Sequence, residues 1–246
     1  MGTRRIADFT RITSKAARLL THPLWRRGLR HGVAAALEHE ALPISKGMAT
    51  VLDVGAHKGQ FALYVKRYNP RVELHCFEPL SGPRAVLTRL FEGDASVHVY
   101  STAVGAEEGL ANMQVSKRDD SSSLRRISAL QVSTFPGTGL SHVQRLAVKP
   151  LDLALDFSSL QGPLLLKIDV QGSELEVLKG ASRVLRECKQ VLVECSFAEF
   201  YVGQALFHDV YTYLINRDFR MVAAYCSARD RFGAWLQADI LFDAMG

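Results

Sequence analysis

Three carboxylates in the second half of the chain stand at the ends of apolar runs. Asp169 closes the run from Leu164 to Ile168, Glu174 follows five residues later where a helical pattern begins, and Glu194 ends Val191-Leu192-Val193. Carboxylates gathered at one edge can take a proton from an attacking group, and three that converge suit a hard divalent ion such as Mg2+. Glu174 also has a plainer reading, because an acidic residue at a helix start is stabilised by the helix dipole. His208, beside Asp209, opens a later helix; a histidine titrates near neutrality and can serve as a base, or it can be an ordinary surface residue. Tyr201 and Trp235 are candidates for stacking on a ligand ring or for packing the core.

A second group lies nearer the start, in Val51-Leu52-Asp53-Val54-Gly55-Ala56-His57-Lys58-Gly59-Gln60. Asp53-x-Gly55-x-x-x-Gly59 follows a buried-strand pattern and opens a helical one, where backbone N–H groups and the helix dipole can meet a ligand. Nineteen residues after Gly59, Phe77-Glu78-Pro79 ends the next apolar run. That spacing sets a carboxylate beside the loop, where the hydroxyls of a ribose would lie. Asp53, the loop and Glu78 thus describe a pocket for an adenosyl group. The spacing departs from G-x-G-x-x-G, so an NAD-binding oxidoreductase is the second reading, and no G-x-x-x-x-G-K-[ST] phosphate loop occurs.

The elements that must hold these residues alternate along the chain. Strands are expected over 49–54, 72–77, 97–103, 164–170, 190–195, 219–225 and 236–242, with helices over 60–68, 81–91, 174–185 (interrupted at Gly180) and 207–216. The last two strands are separated only by 227–233, too short for a crossover helix and suited to a hairpin. The fold class is α/β: a Rossmann-like, mostly parallel seven-stranded sheet with an antiparallel C-terminal hairpin. Residues 107–141, rich in Ser, Asp, Gly and Arg, read as an insertion, either a surface loop or a lid. Two regions are expected: a basic helical arm over 1–47 and the ligand-binding domain over 48–246.

The chain has 246 residues, 48% hydrophobic and 22% charged, enough to bury a substantial core, with a net charge of +5. Much of the excess lies in the arm, where Arg4, Arg5, Arg11, Lys15, Arg18, Arg26, Arg27 and Arg30 are opposed before residue 31 only by Asp8. Ile6, Phe9, Ile12, Ala16, Leu19 and Leu20 recur at helical spacing. An amphipathic helix follows, either packed on the domain or docked peripherally on an anionic membrane face. The arginines interrupt any secretory signal, which gives a cytoplasmic expectation. Cys76, Cys188, Cys195 and Cys226 form no C-x-x-C pair and are expected as reduced, mostly buried thiols. Nothing in the sequence speaks to oligomeric state.

From residue 48 to 243 the chain resembles the FkbM family of S-adenosylmethionine-dependent O-methyltransferases. The resemblance is carried by Val51-Leu52-Asp53-Val54-Gly55-Ala56, Cys76-Phe77-Glu78-Pro79, Ala103-Val104-Gly105, Ser122-Ser123-Leu124, the block from Leu165 to Glu174, and Val193-Glu194. It departs from the family at His57 and Lys58, usually Asn and an apolar residue, and at Gln171, often Glu. The resemblance implies a class I methyltransferase fold. It also implies S-adenosylmethionine contacts from Asp53, Gly55, Ala56, His57, Gly59, Glu78, Pro79, Ala103, Val104, Ser122, Ser123 and Asp169. Asp169, Glu174, Glu194 and His208 are the candidates for catalysis, with Mg2+ as a conceivable partner of the carboxylates. The implied acceptor is a sugar hydroxyl of a glycolipid, polysaccharide or glycosylated natural product, as a small-molecule or lipid-linked glycoside. Nucleic-acid methylation is the competing reading; it lacks a [DN]-P-P-[YF] loop, whose place is taken by Asp169-Val170-Gln171-Gly172.

Overall fold

The computed structural model describes residues 17–44 and 46–246. The first third of the basic arm, residues 1–16, lies outside the described residues, and with it the amphipathic helix expected there as far as Ala16.

One sheet holds β1 (Thr50–Val54), β2 (Glu73–Phe77), β3 (Val97–Tyr100), β7 (Leu164–Ile168), β8 (Cys188–Ser196), β9 (Phe219–Arg229) and β10 (Trp235–Ala244), in the order β3-β2-β1-β7-β8-β10-β9. Five neighbouring strands run parallel, while β10 is antiparallel to both β8 and β9. β1 and β7 are buried at every position, as expected of central parallel strands covered on both faces.

The strand alternation sorts the core. Leu52, Val54, Leu166 and Ile168 face one side and pack on α6 (Glu174–Lys179), α7 (Ser182–Glu187) and α8 (Phe207–Ile215) through Val177, Leu178, Val184, Val210 and Leu214. Val51, Leu165 and Leu192 face the other side, against Phe61 and Leu63 of α2 (Gln60–Tyr68) and Leu87 and Leu90 of α3 (Ser81–Leu90). Trp25 of α1 (Pro23–Arg30), Leu37 and Leu42 join this second layer, so the described part of the N-terminal region is packed on the domain. No helix among the described residues is long and apolar enough to cross a membrane. The four cysteines are unbridged, and three are buried.

Two expectations are corrected. The strand expected over 97–103 stops at Tyr100, and Ala103–Val104 forms a separate short strand, β4, in a second sheet. The region 107–141, expected as a loop, supplies β5 (Gly109–Ser116), which pairs antiparallel with β6 (Leu140–Lys149) to complete the order β4-β6-β5. Between these strands lie a short 3-10 turn (Asp119–Ser121) and α4 (Ala129–Thr134). α5 (Leu151–Ala154) then leads back towards β7.

Candidate active site

The main sheet changes winding direction between β1 and β7, and ligands of open α/β sheets sit outside the carboxyl ends of the strands at such a point. A cleft of about 240 Å³ opens there. Gly55, Ala56 and His57 form one wall, Glu78 and Pro79 the next, with Ala103, Val104 and Ser122 across from them and Asp169 at the inner end.

The loop is shaped by close approach. Gly55 has φ +83, and a Cβ there would stand 1.8 Å from the carbonyl oxygen of Asp169, so the two strand ends meet backbone to backbone. His57 and Gln171 are also left-handed, with φ 48 and 56. Such backbone costs a non-glycine residue about 1–2 kcal/mol and tends to gather at functional sites. The His57 N–H donates to Glu78 Oε2 at 2.9 Å, and the Leu80 N–H donates to Oε1 at 2.8 Å. Burial pushes the Glu78 carboxyl up to about 7, with those two amides working against the rise. Glu78 therefore fixes the loop and still presents a carboxylate to the cleft wall.

Below the cleft, register brings two charges together. Asp53 on β1 faces Lys167 on β7, each one residue before its strand end. Asp53 is 0% exposed, and Lys167 Nζ lies 3.2 Å from its Oδ1, 3.5 Å from Asp169 Oδ2 and 3.3 Å from the Gly55 carbonyl oxygen it bonds. Burial opposes the lysine's charge, but Asp53 and Asp169 outweigh it and hold the ammonium protonated above its ordinary range. Burial raises the Asp53 carboxyl, and Lys167 works against that rise. The expected role of Asp53 as a direct ligand contact is corrected: Asp53 anchors Lys167, and Lys167 lines the cleft. Gly59 likewise lies behind the loop, where its Cβ position meets Leu87 Cδ1 at 2.7 Å.

The acidic residues separate by environment. The Asp169 side chain is 35% exposed and accepts from Gln171 Nε2 at 2.8 Å. The same amide nitrogen donates to Glu194 Oε2 at 3.0 Å, so one side chain bridges two carboxylates. Tyr201 OH donates to Gln171 Oε1 at 2.8 Å, and Ser123 Oγ donates to the Gln171 carbonyl at 2.6 Å. Glu194 is pushed well above the carboxylate range by burial and by Asp169 and Asp239, its cross-strand partner. Asp239 itself is pushed up to about 7 by burial and Asp169.

Glu174 is not a convergent base: it is buried, and its Oε1 accepts from the Gly172 and Val170 N–H groups at 2.9 and 3.3 Å. It ties down the turn that precedes its own helix, and burial pushes it up to about 7. Glu194 is bonded to the Gln171 amide and lines neither cavity of the site. His208 is corrected more fully, since its side chain is 75% exposed beside Asp209 and lines neither cavity of the site. Tyr201 is core, with its ring enclosed. Trp235 lies edge-on to Phe197. Ser123 is fully buried and acts through Gln171. Among the described residues no three His, Cys, Asp or Glu side chains are grouped to hold a metal. The reason is local: Glu174 is turned to backbone amides, and the Gln171 amide stands between the other two carboxylates.

Sequence reasoning missed three contributions. Lys167 lies inside the block from Leu165 to Glu174, and its place opposite Asp53 is readable from the two strand ends. Ala36, Glu38 and His39, from the N-terminal region, line the cleft without any motif. Asp119, in the insertion, takes His57 Nε2 at 3.0 Å and Lys58 Nζ at 2.8 Å, clasping the insertion to the glycine loop. The two loop positions that depart from the family are thus the two that hold Asp119.

The Methyltransferase FkbM domain matches residues 53–221, more than half of the chain. The chain belongs to the FkbM methyltransferase family. As an FkbM methyltransferase it uses S-adenosylmethionine, and the site fits that donor: Gly55 lets the loop close on the Asp169 backbone, Glu78 puts a carboxyl group on the cleft wall, and Ala103 and Val104 line it with apolar surface. One curated relative is the 2-O-methyltransferase NoeI of Sinorhizobium fredii, 27% identical over 175 residues that cover 65% of this chain and 69% of that protein. Among solved structures, M. capricolum TrmK with S-adenosyl-homocysteine aligns at a TM-score of 0.49 and 7% identity, covering 85% of this chain and 68% of that one. Streptococcus pneumoniae Sp1610, a putative tRNA (m1A22) methyltransferase with S-adenosyl-L-methionine, aligns at 0.46 and 13%, covering 85% and 71%.

Proposed function

We propose that this FkbM methyltransferase methylates a hydroxyl of a sugar in a glycolipid, polysaccharide or glycosylated natural product, with Asp169 as the proton acceptor. The observation that carries the reading is the place of Asp169, which lines both the donor cleft and a second cavity beside it. The likeness to a 2-O-methyltransferase supports oxygen as the attacking atom. When bound, S-adenosylmethionine supplies a methyl group on a positively charged sulfur. The acceptor oxygen forms the new C–O bond as the C–S bond breaks, its electron pair stays on sulfur, and the hydroxyl proton passes to Asp169.

The chain's own residues prepare that step. Gln171 Nε2 and Lys167 Nζ fix the Asp169 carboxylate, leaving it partly open to the acceptor. The Asp169 carboxylate and Glu78, both lining the cleft, suit a cationic donor. Incubation with labelled S-adenosylmethionine and glycolipid extracts, followed by mass spectrometry, tests the reading; label on a glycan oxygen is expected, and label on nitrogen or nucleic acid would refute it. Asp169→Asn should bind the donor within a few-fold of wild type and lose about 10²- to 10⁴-fold in turnover.

A further inference from the structure

The second cavity, of about 260 Å³, lies between the insertion and the end of the sheet. It shares Asp169 and Gln171 with the donor cleft, so a group seated in it faces the methyl-transfer position. Its insertion side is built rather than incidental. Gln131, in α4, is 3% exposed and lines the cavity, and its Oε1 has no hydrogen-bond partner. A buried amide oxygen without a donor is unfavourable, and a ligand hydroxyl would relieve it. Phe135 lines the cavity next to it and is held in place against Phe200, ring centres 5.4 Å apart.

The opposite side adds Gln237, whose Nε2 lies 3.5 Å from Glu194 Oε2, a long contact that leaves the amide able to turn to a ligand. Two glutamine amides, of Gln131 and Gln237, and one aromatic ring match a ring that carries hydroxyls, each both donor and acceptor, around an apolar C–H surface. The charge balance narrows the class. Arg118, the cation lining the cavity, is already paired with Asp120 at 3.0 Å, and Asp169 adds a further negative charge. An anionic ligand would meet uncompensated repulsion.

We propose that this cavity is the acceptor subsite and that it takes a neutral polyhydroxylated ring, an unsubstituted hexopyranoside, in preference to a phosphorylated or carboxylated one. Gln131 is its specificity-determining residue. The inference rests on the reading of the protein as a hydroxyl methyltransferase and deepens it.

The test is saturation-transfer NMR on the full chain loaded with S-adenosylhomocysteine, using a panel of neutral methyl hexopyranosides and methyl glucuronide. Neutral glycosides should bind, and the glucuronide should bind at least about tenfold more weakly. Gln131→Leu should weaken neutral-glycoside binding about tenfold while S-adenosylhomocysteine affinity stays at the wild-type value. If that variant does not fold, Gln237→Leu reads the same subsite from the sheet side. Failure of every neutral glycoside to bind, tighter binding of the glucuronide, or glycoside binding indifferent to both substitutions would overturn the subsite. Each of those results leaves the hydroxyl-methyltransferase reading standing if label still reaches a glycan oxygen, whereas label on nitrogen alone overturns that reading and the subsite with it.

Discussion

Replacing Lys167 with methionine should turn a pH-insensitive anchor into a pH-dependent defect. Methionine keeps most of the side-chain volume but leaves Asp53, fully buried, without its ion pair. A lone carboxylate at such a position protonates instead of staying charged. Holding a carboxyl of ordinary pKa about 3.9 neutral costs about 1.4 kcal/mol for each pH unit above that value. The cost is therefore about 4 kcal/mol at pH 7 and about 2 kcal/mol at pH 5.5, in line with the roughly 3–5 kcal/mol seen when one partner of a buried pair is removed. The sign follows from the raised folded-state pKa of the acid: the defect is small near pH 4 and grows as pH rises towards that pKa. For a domain of this size the melting temperature should fall by about 8–16 °C at pH 7 and by about half that at pH 5.5. Calorimetric melts across pH 5–8 measure it, and Asp53→Asn with Lys167→Met should remove most of the slope. A defect of equal size at pH 5.5 and pH 8 would refute the assignment of Lys167 as the charge that keeps buried Asp53 ionised.

Other perturbations address separate parts of the site. Gly55→Ala places a methyl 1.8 Å from a backbone oxygen and should cut donor affinity at least about tenfold; Gly59→Ala meets only the flexible end of Leu87 at 2.7 Å and should mainly cost the about 1–2 kcal/mol of left-handed backbone. Calorimetric titration and melts on both variants would count against the close approach if they behaved alike. On the proposal that the Glu78 carboxylate, pushed up to about 7 by burial, accepts the ribose hydroxyls, donor affinity should weaken as pH falls through 7, by up to about tenfold per unit; Glu78→Gln should be weaker and flat, and an affinity rising towards low pH would contradict this. Asp119→Ala releases His57 and Lys58 from a half-exposed cluster, so stability should change by less than about 1 kcal/mol while stopped-flow donor release quickens. Unchanged release would show that the clasp does not retain the donor.

The main sheet was legible because its strands are short apolar runs separated by helices of clear period, and the hairpin because 227–233 leaves no room for a crossover. β5 and β6 were not, for a physical reason. β6 turns only Leu146 and Val148 inward while Leu140 and Val143 stay exposed, so its alternation resembles loop sequence. At the site, residue type and strand ends located the cleft, but acidic residues looked alike. What separates Asp169 from Glu174 is whether backbone amides already occupy the carboxylate, and a one-dimensional pattern does not carry that. The cavity residue Gln131 sits on a six-residue helix, and Phe135 at its C-terminal cap, with no chemical motif; the pairing of β5 with β6 and the contacts of Ile127 and Ser128 with Tyr201 and Phe200 set that helix beside Asp169.

That pairing also makes the acceptor wall separable. β5 and β6 meet again at the base of the segment they carry, where Ser116 pairs with Leu140 and the Lys117 N–H donates to the Gly139 carbonyl at 2.9 Å. A segment whose two ends are adjacent can be lengthened, shortened or exchanged as a cassette without moving the strands that bear it. Its first half is tied to the site side, through Asp119 to His57 and Lys58, Ser121 to Tyr201, Ser123 to Gln171, Arg125 to Glu176 and Ser128 to Phe200, so a graft that keeps 119–128 would leave the Asp169 geometry in place. Variation in the proposed acceptor wall can then accumulate in 129–138 while the donor half of the protein stays as it is.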